Sequence, residues 1–274
     1  MQINHPSRRG GKRLKGVFAQ SSPGFPLVTV VTAIFNGQPH VAGCLESVLA
    51  QDYPNIEHIV MDGGSTDGTL DVLQQYDDQI ASWESKPDKG VNDAWNKALA
   101  EAYGDWICFL GVDDELLPGA LIAYRTLAAN HPRAEYLSSR VRWVHPSGYE
   151  RIRGAPWAWP EFLRWMCTAH VGSMHRRSLF DRFGTYNLPF GSAADYELLL
   201  RPRASLESAY MPNTTAMMRG GGMTDGLAAL ADANRAKIVT GGRHPLLAAI
   251  ELGIASARFW MRPFRRPLER IAIK

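Results

Sequence analysis

Short runs of β-branched residues alternate with helical stretches from Pro26 onwards, and this alternation constrains the fold more than any other feature. The runs are too short for helices and suit buried parallel strands. The strands predicted in this way cover residues 27–32, 56–61, 80–83 and 106–110. The helices predicted around them cover residues 39–50, 69–76, 89–102 and a stretch after Pro118. The pattern predicts an α/β fold with a mostly parallel central sheet and helices on both faces.

The half of the chain after residue 135 is less regular. The elements predicted there are strands at residues 136–145 and 207–211 and helices at residues 160–166 and 194–200. Residues 1–25 are rich in Gly, Ser, Pro and basic residues and are interpreted as a flexible basic arm. We therefore expect a folded domain over residues 26–240, followed by a basic segment over residues 241–274.

The charge of the chain is unevenly distributed. Residues 1–15 carry five basic and no acidic side chains, and residues 258–274 carry six basic and one acidic, although the net charge is only +3. The body between them is therefore acidic, which argues against a nucleic-acid-binding protein. Two basic ends on an acidic body are typical of a cytoplasmic enzyme that works beside an anionic membrane surface.

Other features support the same location. No run of eighteen apolar residues is present, and the basic N-terminus has no apolar stretch after it, so neither a membrane span nor a secretory signal is expected. The three cysteines, Cys44, Cys108 and Cys167, have no metal-like spacing and are interpreted as reduced thiols.

Polar clusters follow three of the predicted strands at their carboxyl ends, where ligands bind in parallel sheets. They are residues 32–37, residues 62–68 and the pair Asp113 and Asp114. Each cluster alone is also compatible with a turn and a helix cap. Two adjacent carboxylates repel each other unless a cation is near, and oxygen-rich sites suit Mg²⁺ or Mn²⁺.

Four motifs carry a resemblance to a known family. TAIFNG, MDGGSTDGT, SKPDKGVNDAWNKAL and GDWICFLGVDDELLPGAL occur in this order within residues 27–122. The sequence resembles the inverting family 2 glycosyltransferases with the GT-A fold, and in particular the exopolysaccharide and glycolipid enzymes that carry DKG-x-x-DA-x-NK. A weaker resemblance continues through HVGSMHRRSLFDRFGTYN and AADYELLLR to about residue 223.

The resemblance implies a donor-binding half over residues 26–130 and an acceptor-binding half over residues 131–240. It implies a nucleotide-sugar donor, with a UDP-sugar favoured and a GDP- or dTDP-sugar possible, and a lipid-linked or oligosaccharide acceptor. The residues it places around the donor are Thr32, Phe35, Asn36, Asp62, Asp88, Lys89, Asp93, Asn96, Asp113 and Asp114. Thr32, Phe35 and Asp62 would border the nucleoside, and Lys89 would lie near the diphosphate.

The resemblance also implies the chemistry. Asp114, with Asp113, would hold a divalent cation, Mn²⁺ or Mg²⁺, and Asp195 matches the general base of the family. Two positions depart from the family pattern, because Gly111 stands at the first acidic position before Asp113 and Gly63 follows Asp62 where many members have a second acid. Asp195 is also compatible with a helix cap.

Three further residues are candidates for acceptor or loop contacts. They are Trp157, His170 and Arg219. For each of them a structural role is an open alternative: core packing for Trp157, a structural histidine for His170 and a plain turn around Arg219.

Rival functions lack their own motifs. A nucleotidyltransferase would carry a glycine-rich basic loop after the first strand, and a dinucleotide oxidoreductase would carry GxGxxG there, whereas this chain has TAIFNGQPH. A non-catalytic nucleotide-sugar-binding protein remains an alternative.

The C-terminal stretch predicts an amphipathic helix over residues 246–261. Its apolar stripe consists of Leu246, Ile250, Ile254, Ala257 and Met261, whereas Glu251, Arg258 and Arg262 gather on another side. Such a helix suits the interface of an anionic membrane. The alternative is a helix that packs on the domain and leaves a solvated basic tail.

Overall fold

The computed structural model describes residues 8–221 and 226–261 and has the predicted α/β architecture. Its strands are β1 (Arg8–Gly10), β2 (Val28–Ile34), β3 (Ile56–Asp62), β4 (Ser82–Ser85), β5 (Trp106–Gly111), β6 (Glu115–Leu116), β7 (Tyr136–Val144), β8 (Glu150–Arg153), β9 (Ser173–Arg176) and β10 (Ser208–Arg219). Its helices are α1 (Gln38–Leu49), α2 (Thr69–Gln75), α3 (Val91–Glu101), α4 (Ala120–Asn130), α5 (Trp159–Phe162), α6 (Arg177–Phe183), α7 (Ala194–Leu200), α8 (Leu227–Val239) and α9 (Pro245–Trp260).

The centre of the sheet consists of parallel strands in the order β4-β3-β2-β5. Val28 pairs with Ile56 of β3 on one side and with Trp106 of β5 on the other, so β2 is hydrogen-bonded along both edges. Parallel pairing aligns the carboxyl ends of these strands at one edge of the sheet. The polar clusters that the sequence places after the strands therefore lie side by side.

Helices cover both faces of the sheet, as predicted. Neighbouring residues of β2 belong to different cores, because successive side chains of a strand point to opposite faces. Val31 packs with α3, α6 and α7 on one face, and Val30 packs with α1 and α4 on the other. Both valines are fully buried.

The second half of the chain extends the same sheet. Strand β9 pairs antiparallel with both β5 and β7, and β10 runs parallel to β7. The predicted donor-binding and acceptor-binding halves are therefore joined by continuous backbone hydrogen bonding. Strand β10 is longer than predicted, and the strands β1, β6 and β8 were not predicted from sequence.

The N-terminal arm corrects one prediction, because residues 8–15 are packed and not flexible. Strand β1 pairs antiparallel with β4. The Arg13 guanidinium pairs with the buried Glu57 carboxylate and donates to the Glu101 carbonyl at 2.8 Å. A buried acid needs such a partner, so Arg13 has a structural role that the composition of the arm does not reveal. Residues 1–7 lie outside the described residues.

Helix α9 packs on α8 through one side and leaves the other in solvent. Ala248 on the inner side is fully buried, and Glu251 accepts hydrogen bonds from Lys237 and Arg243. The outer side exposes a row of apolar side chains, which are Leu246, Leu247, Ile250, Ile254, Trp260 and Met261. The predicted stripe therefore faces solvent. Arg262 and the basic residues after it lie outside the described residues.

No helix in the described ranges combines the length and the apolar character needed to cross a bilayer.

Candidate active site

A cleft of about 400 Å³ opens at the carboxyl ends of β2 and β3, beside the start of α3. Its walls include Phe35, Gly63, Asp88 and Val91. The Phe35 side chain is 67% exposed, although it is large and apolar, so its ring is available to stack on a flat ligand. Two of the predicted donor-binding residues, Phe35 and Asp88, line this cleft, which we call the donor cleft.

The loop after β3 is held in place by the buried Asp62 carboxylate. Its Oδ2 accepts hydrogen bonds from the Gly64 and Ser65 amides at 3.1 and 2.9 Å and from the Ser85 hydroxyl at 2.6 Å. Its Oδ1 accepts from the Ser65 hydroxyl. A carboxylate has about four acceptor positions, so Asp62 is largely used by its own loop. Its first role is to shape the floor of the donor cleft.

Asn36 supports the same loop from the neighbouring strand end. Its Oδ1 accepts from the Thr66 amide at 3.0 Å, and its own amide donates to the Ser65 hydroxyl at 2.7 Å. Asn36 has a positive φ of 49°, a conformation that asparagine tolerates better than most residues. The polar ends of β2 and β3 are thereby joined.

Thr32 does not border the donor cleft as predicted. Its side chain is fully buried, and its hydroxyl hydrogen-bonds His58 Nε2 at 2.9 Å. Burial also lowers the pKa of His58 to about 3, so the ring is neutral. Thr32 therefore belongs to the core beneath the cleft, because alternation along β2 turns it towards α1.

Gly63 makes room for Asp88. A Cβ atom at position 63 would lie 2.9 Å from the Asp88 Oδ2. The space that a side chain at this position would need is thus occupied by a carboxylate from another loop. Burial raises the pKa of Asp88, while the Gly90 amide, which donates to it at 2.8 Å, acts in the opposite direction. The cleft therefore contains an acid although Gly63 has none.

The polar residues of the DKG segment mainly fix the start of α3. Asp93 accepts from the Lys89 amide at 3.1 Å and pairs with Lys97 at 3.0 Å. Asn96 binds both the carbonyl and the amide of Tyr186. Lys89 is exposed at the helix start. Asp93 and Asn96 thus position α3 and its neighbour and do not line the donor cleft.

Asn92 and Ser85 were missed by the sequence analysis. Asn92 is buried and donates to the Gly191 carbonyl at 2.6 Å, so it ties α3 to the turn that precedes α7. Ser85 donates to Asp62 from the end of β4. Asn92 stands inside the DKG motif, which is a signal that was available, whereas no pattern marks Ser85.

Asp113 and Asp114 follow β5 in a tight turn over Gly111. The Asp114 amide donates to the Gly111 carbonyl at 3.0 Å, and a Cβ on Gly111 would lie 2.7 Å from Asp114 Oδ2 and 3.0 Å from Asp113 Oδ1. Gly111 therefore allows both carboxylates to fold back over it. Burial, and next the charge of Asp113, raise the pKa of Asp114 to about 7.

Arg219 meets Asp114 through its backbone. Its amide donates to Asp114 Oδ1 at 2.9 Å, and its guanidinium lies 3.4 Å from Glu115 Oε1. The end of β10, about one hundred residues away in sequence, is thus attached to the acidic turn after β5. Arg219 therefore lies beside the candidate metal ligands.

Asp195 lies in the first turn of α7, and its Oδ1 accepts from the Tyr196 amide at 2.7 Å. Ala193 is the N-cap of α7, so this contact is not a helix cap. Burial raises the pKa of Asp195 to about 6. The turn before it, residues 188–193, is held between α3 through Asn92 and α8 through Asp232, which accepts from Ser192 at 3.3 Å. The turn therefore sets the position of Asp195 relative to α3, the helix that lines the donor cleft.

His170 and Trp157 belong to aromatic clusters. The His170 ring stacks on Phe109 with centroids 5.2 Å apart and touches Trp95 at 4.8 Å. Burial lowers the pKa of His170 to about 3, so it is neutral. Trp157 packs on Phe162 at 5.7 Å. These contacts favour the structural alternative for both residues.

A parallel α/β sheet with acids at adjacent strand ends and a desolvated carboxylate beyond them has the groups that a transferase site would use. The family model "Glycosyl transferase family 2" matches residues 29–184, more than half of the chain. The protein therefore belongs to glycosyltransferase family 2, as its motifs predict, and it is a glycosyltransferase.

Relatives and solved structures agree with this assignment. An uncharacterized glycosyltransferase of Mycobacterium tuberculosis is 36% identical over 64% of this chain and 68% of its own length. Staphylococcus aureus TarS 1-349 in complex with UDP-GlcNAc has a TM-score of 0.61 at 18% identity, with 87% of this chain and 72% of that chain covered. Mannosyltransferase PcManGT from Pyrobaculum calidifontis, in complex with GDP-Man and Mn²⁺, has a TM-score of 0.60 at 19% identity, with 92% and 75% covered. The structural matches confirm the GT-A fold.

The raised pKa of Asp195 predicts a pH-dependent effect on stability. The pKa of Asp195 is 3.8 for the free side chain and about 6 in the folded protein. At a pH between these values, the carboxyl group is ionised in the unfolded chain and still protonated in the folded chain. Stability due to this group is therefore lost as the pH rises through that window. We expect the advantage of Asp195→Asn over the wild type to grow by about 2 kcal/mol between pH 4 and pH 7, as measured by urea unfolding.

The control is Asp181→Asn, which changes an exposed acid on α6 that water solvates in both states. A stability difference between Asp195→Asn and the wild type that stays constant with pH would contradict the desolvation of this carboxylate.

Proposed function

We propose that the protein transfers a sugar from a nucleotide-sugar donor to a hydroxyl of a lipid-linked or oligosaccharide acceptor, with inversion at the anomeric carbon, in cell-surface polysaccharide or glycolipid synthesis. The observation that carries the proposal is the arrangement of two sets of acids. Asp113 and Asp114 stand at the strand edge beside the donor cleft, and Asp195 stands on a separate helix that Asn92 and the 188–193 turn connect to the cleft wall.

The donor cleft supports nucleoside binding through Phe35, whose exposed ring offers a stacking surface. Asp62 keeps the loop below it rigid, and one acceptor position of its Oδ1 remains for a base N–H. A UDP-sugar is favoured, since a structural neighbour holds UDP-GlcNAc, and the neighbour with GDP-Man keeps a GDP-sugar as the second choice. A dTDP-sugar is compatible with the same features.

The acidic turn fits a divalent cation, Mn²⁺ or Mg²⁺. The described residues contain no group of three or more His, Cys, Asp and Glu able to hold a metal, so the proposed site rests on the pair Asp114 and Asp113. This suits an ion that takes one or two carboxylates and completes its shell with phosphate oxygens and water. Burial and the charge of Asp113 raise the pKa of Asp114, and a cation beside the two carboxylates would offset both effects. When bound, the cation would stabilise the charge of the leaving diphosphate.

Asp195 is the proposed general base. Its pKa of about 6 lies close to neutral pH, where a base is both ionised and able to accept a proton. Its carboxylate would remove the proton from the acceptor hydroxyl as the oxygen attacks the anomeric carbon. The bond from that carbon to the diphosphate oxygen breaks at the same time, and attack from the opposite side inverts the configuration.

The experiment that tests this function is Asp195→Asn, which keeps the contact to the Tyr196 amide but removes the basic group. We expect transfer to fall by about 10²-fold or more, with little change in donor affinity. Transfer is measured as acceptor-dependent release of UDP, and donor affinity by calorimetry.

Asp232→Asn is the matched control for this experiment, because Asp232 contacts the same 188–193 turn from α8 and should retain transfer. If Asp195→Asn loses donor affinity and the transfer rate falls by the same factor, Asp195 belongs to the donor site. A protein that binds donor but never turns it over would favour the non-catalytic alternative.

Metal dependence of donor binding is expected through Asp114. UDP affinity in the presence of Mn²⁺ should fall by about tenfold or more in Asp114→Ala and equally after addition of EDTA, because both remove the bridge to the diphosphate. Calorimetry checks this, with Glu115→Gln as the control at the neighbouring acid. Undiminished UDP binding under both conditions would rule out the proposed metal site.

The exposed stripe of α9 supports attachment to an anionic membrane surface at the cytoplasmic face. A row of large apolar side chains in water is costly unless it meets an apolar surface. The sequence that follows is basic, with six basic residues and one acidic between residues 258 and 274. Each basic residue near an anionic surface contributes about 1 kcal/mol, so the stripe and the basic tail act together.

This attachment predicts that Ile250→Glu weakens vesicle binding. Ile250 is 60% exposed on the stripe, and a carboxylate there would oppose both insertion and the anionic surface. We expect the fraction bound to phosphatidylglycerol vesicles to fall about fivefold or more in co-sedimentation. Val239→Glu is the control, since Val239 is 67% exposed on α8, off the stripe. Equal vesicle binding of Ile250→Glu and Val239→Glu would contradict attachment through the α9 stripe.

A further inference from the structure

A second and larger cavity lies on the acceptor side of the molecule, between α7, α8 and α9. Its volume is about 480 Å³, a size typical of small-molecule sites. Leu230 and Ala233 of α8 face Leu252 and Ala255 of α9 across it. We call it the α8–α9 cavity. No motif in the sequence analysis pointed to it, because its walls come from two helices that meet only in the fold.

The cavity contains two hydrogen-bond acceptors that suit a hydroxyl. Asp195 lines it, and its only hydrogen bond given by the described residues comes from the Tyr196 amide. Asn234 also lines it, and the Asn234 Oδ1 atom is buried with no hydrogen-bond partner among the described residues. A buried acceptor without a donor is costly, so a ligand that brings a hydroxyl would be favoured here.

The cavity also carries an excess of positive charge. Glu251 is bonded by Lys237 at 3.3 Å and Arg243 at 2.5 Å and lies 3.5 Å from Arg164, so three cations share one acid. Arg258 also lines the cavity, so Arg164, Lys237 and Arg258 stand on its wall with the acids Glu251 and Asp195. Even with Asp195 ionised, the cations outnumber the acids. An anionic group on the ligand would complement this surplus.

Helix α9 separates this cavity from the exposed apolar stripe. Leu252 and Ala255 face the cavity, whereas Leu246 and Ile250 lie on the outer surface at 70% and 60% exposure. Ile254 belongs to both, since it lines the cavity and is 48% exposed. The apolar wall of the cavity is thus continuous with the surface proposed to meet the membrane.

We propose that the α8–α9 cavity holds the acceptor and that this acceptor is an anionic amphiphile. Its hydrocarbon chain would lie between α8 and α9, its phosphate among Arg164, Lys237 and Arg258, and its hydroxyl-bearing head against Asp195 and Asn234. The inference rests on the proposed function, in which Asp195 is the base. A free oligosaccharide fits less well, because its many hydroxyls would meet apolar walls without partners.

The test uses decyl phosphate as the probe, below its micelle concentration, with the full chain and calorimetric detection. Decyl maltoside provides the chain without the anion, and inorganic phosphate provides the anion without the chain. We expect decyl phosphate to bind at least tenfold more tightly than either. Equal affinity for decyl maltoside, or for inorganic phosphate, would overturn the proposal of an anionic amphiphile.

Three variants of α9 locate the site. Ala255→Trp fills the cavity from α9 and should weaken the binding of decyl phosphate at least tenfold. Ala257→Trp places the same side chain on the exposed face of α9 and should change this affinity less than twofold. Arg258→Gln leaves the apolar walls intact and should weaken the binding of decyl phosphate but not that of decyl maltoside. This variant keeps the site testable if Ala255→Trp fails to fold. Unchanged affinity in both Ala255→Trp and Arg258→Gln would overturn the site.

UDP binding separates this proposal from the proposed function. All three variants should bind UDP like the wild type, because none of them contacts the donor cleft. If decyl phosphate binds in the cavity but Asp195→Asn retains transfer, the assignment of the base fails and the cavity stands. If transfer depends on Asp195 but decyl phosphate does not bind, the cavity proposal fails alone.

Discussion

Backbone amides at the carboxyl edge of the sheet need acceptors where the parallel strands stop, and side-chain carboxylates provide them. Asp62 accepts from Gly64 and Ser65, and Asp114 accepts from Arg219. Asp88 and Asp195 each accept from an amide one or two residues away. The same hydrogen bonds that satisfy the backbone hold these acids in place. A backbone role and a chemical role are therefore compatible in one residue, since a carboxylate has more acceptor positions than the backbone uses.

The two halves of the site are joined by a short turn before α7. The turn at residues 188–193 is bonded to α3 through Asn92 and faces Asp232 of α8. Gly191 has a φ of 53° and leaves no room for a Cβ, which would lie 2.7 Å from Asp232 Oδ2. This close approach and the Asn92 bond fix the position of the turn between α3 and α8. The geometry between Asp195 and the donor side thus depends on backbone contacts more than on the acids themselves.

Helix α9 reverses the usual arrangement of an amphipathic helix. Its inner side carries Glu251, which is held by Lys237 and Arg243, and its outer side carries the large apolar residues. The ion pairs attach the helix to α8 without using the apolar stripe. The stripe is therefore left to meet another surface, and the small residues on the inner side leave the α8–α9 cavity open. The stripe proposed to meet the membrane and the cavity proposed to hold the acceptor both follow from this packing of α9.

The sequence by itself determined the α/β order of the domain, the position of acids after three strands and the family, because these follow from local runs and motif spacing. The helix at residues 194–200 and the strand starts at Ile56 and Trp106 were predicted where the structure has them. It did not determine the direction of Thr32, since residues 27–32 are buried on both faces and carry no alternation that marks the core side. Nor did it reveal that residues 8–15 are packed, because the Arg13–Glu57 pair joins residues 44 positions apart.

Tertiary structure alone decided which side of α9 faces the domain. The helix has apolar residues around much of its circumference, and the cations that reach Glu251 from outside the helix mark the inner side. The same holds for the bond from Arg219 to Asp114, which links the last strand to the acidic turn across 105 positions. Local patterns report which segments form and what chemistry they carry. Pairings between distant residues depend on the assembled sheet, and they decide which functional side chains lie next to each other.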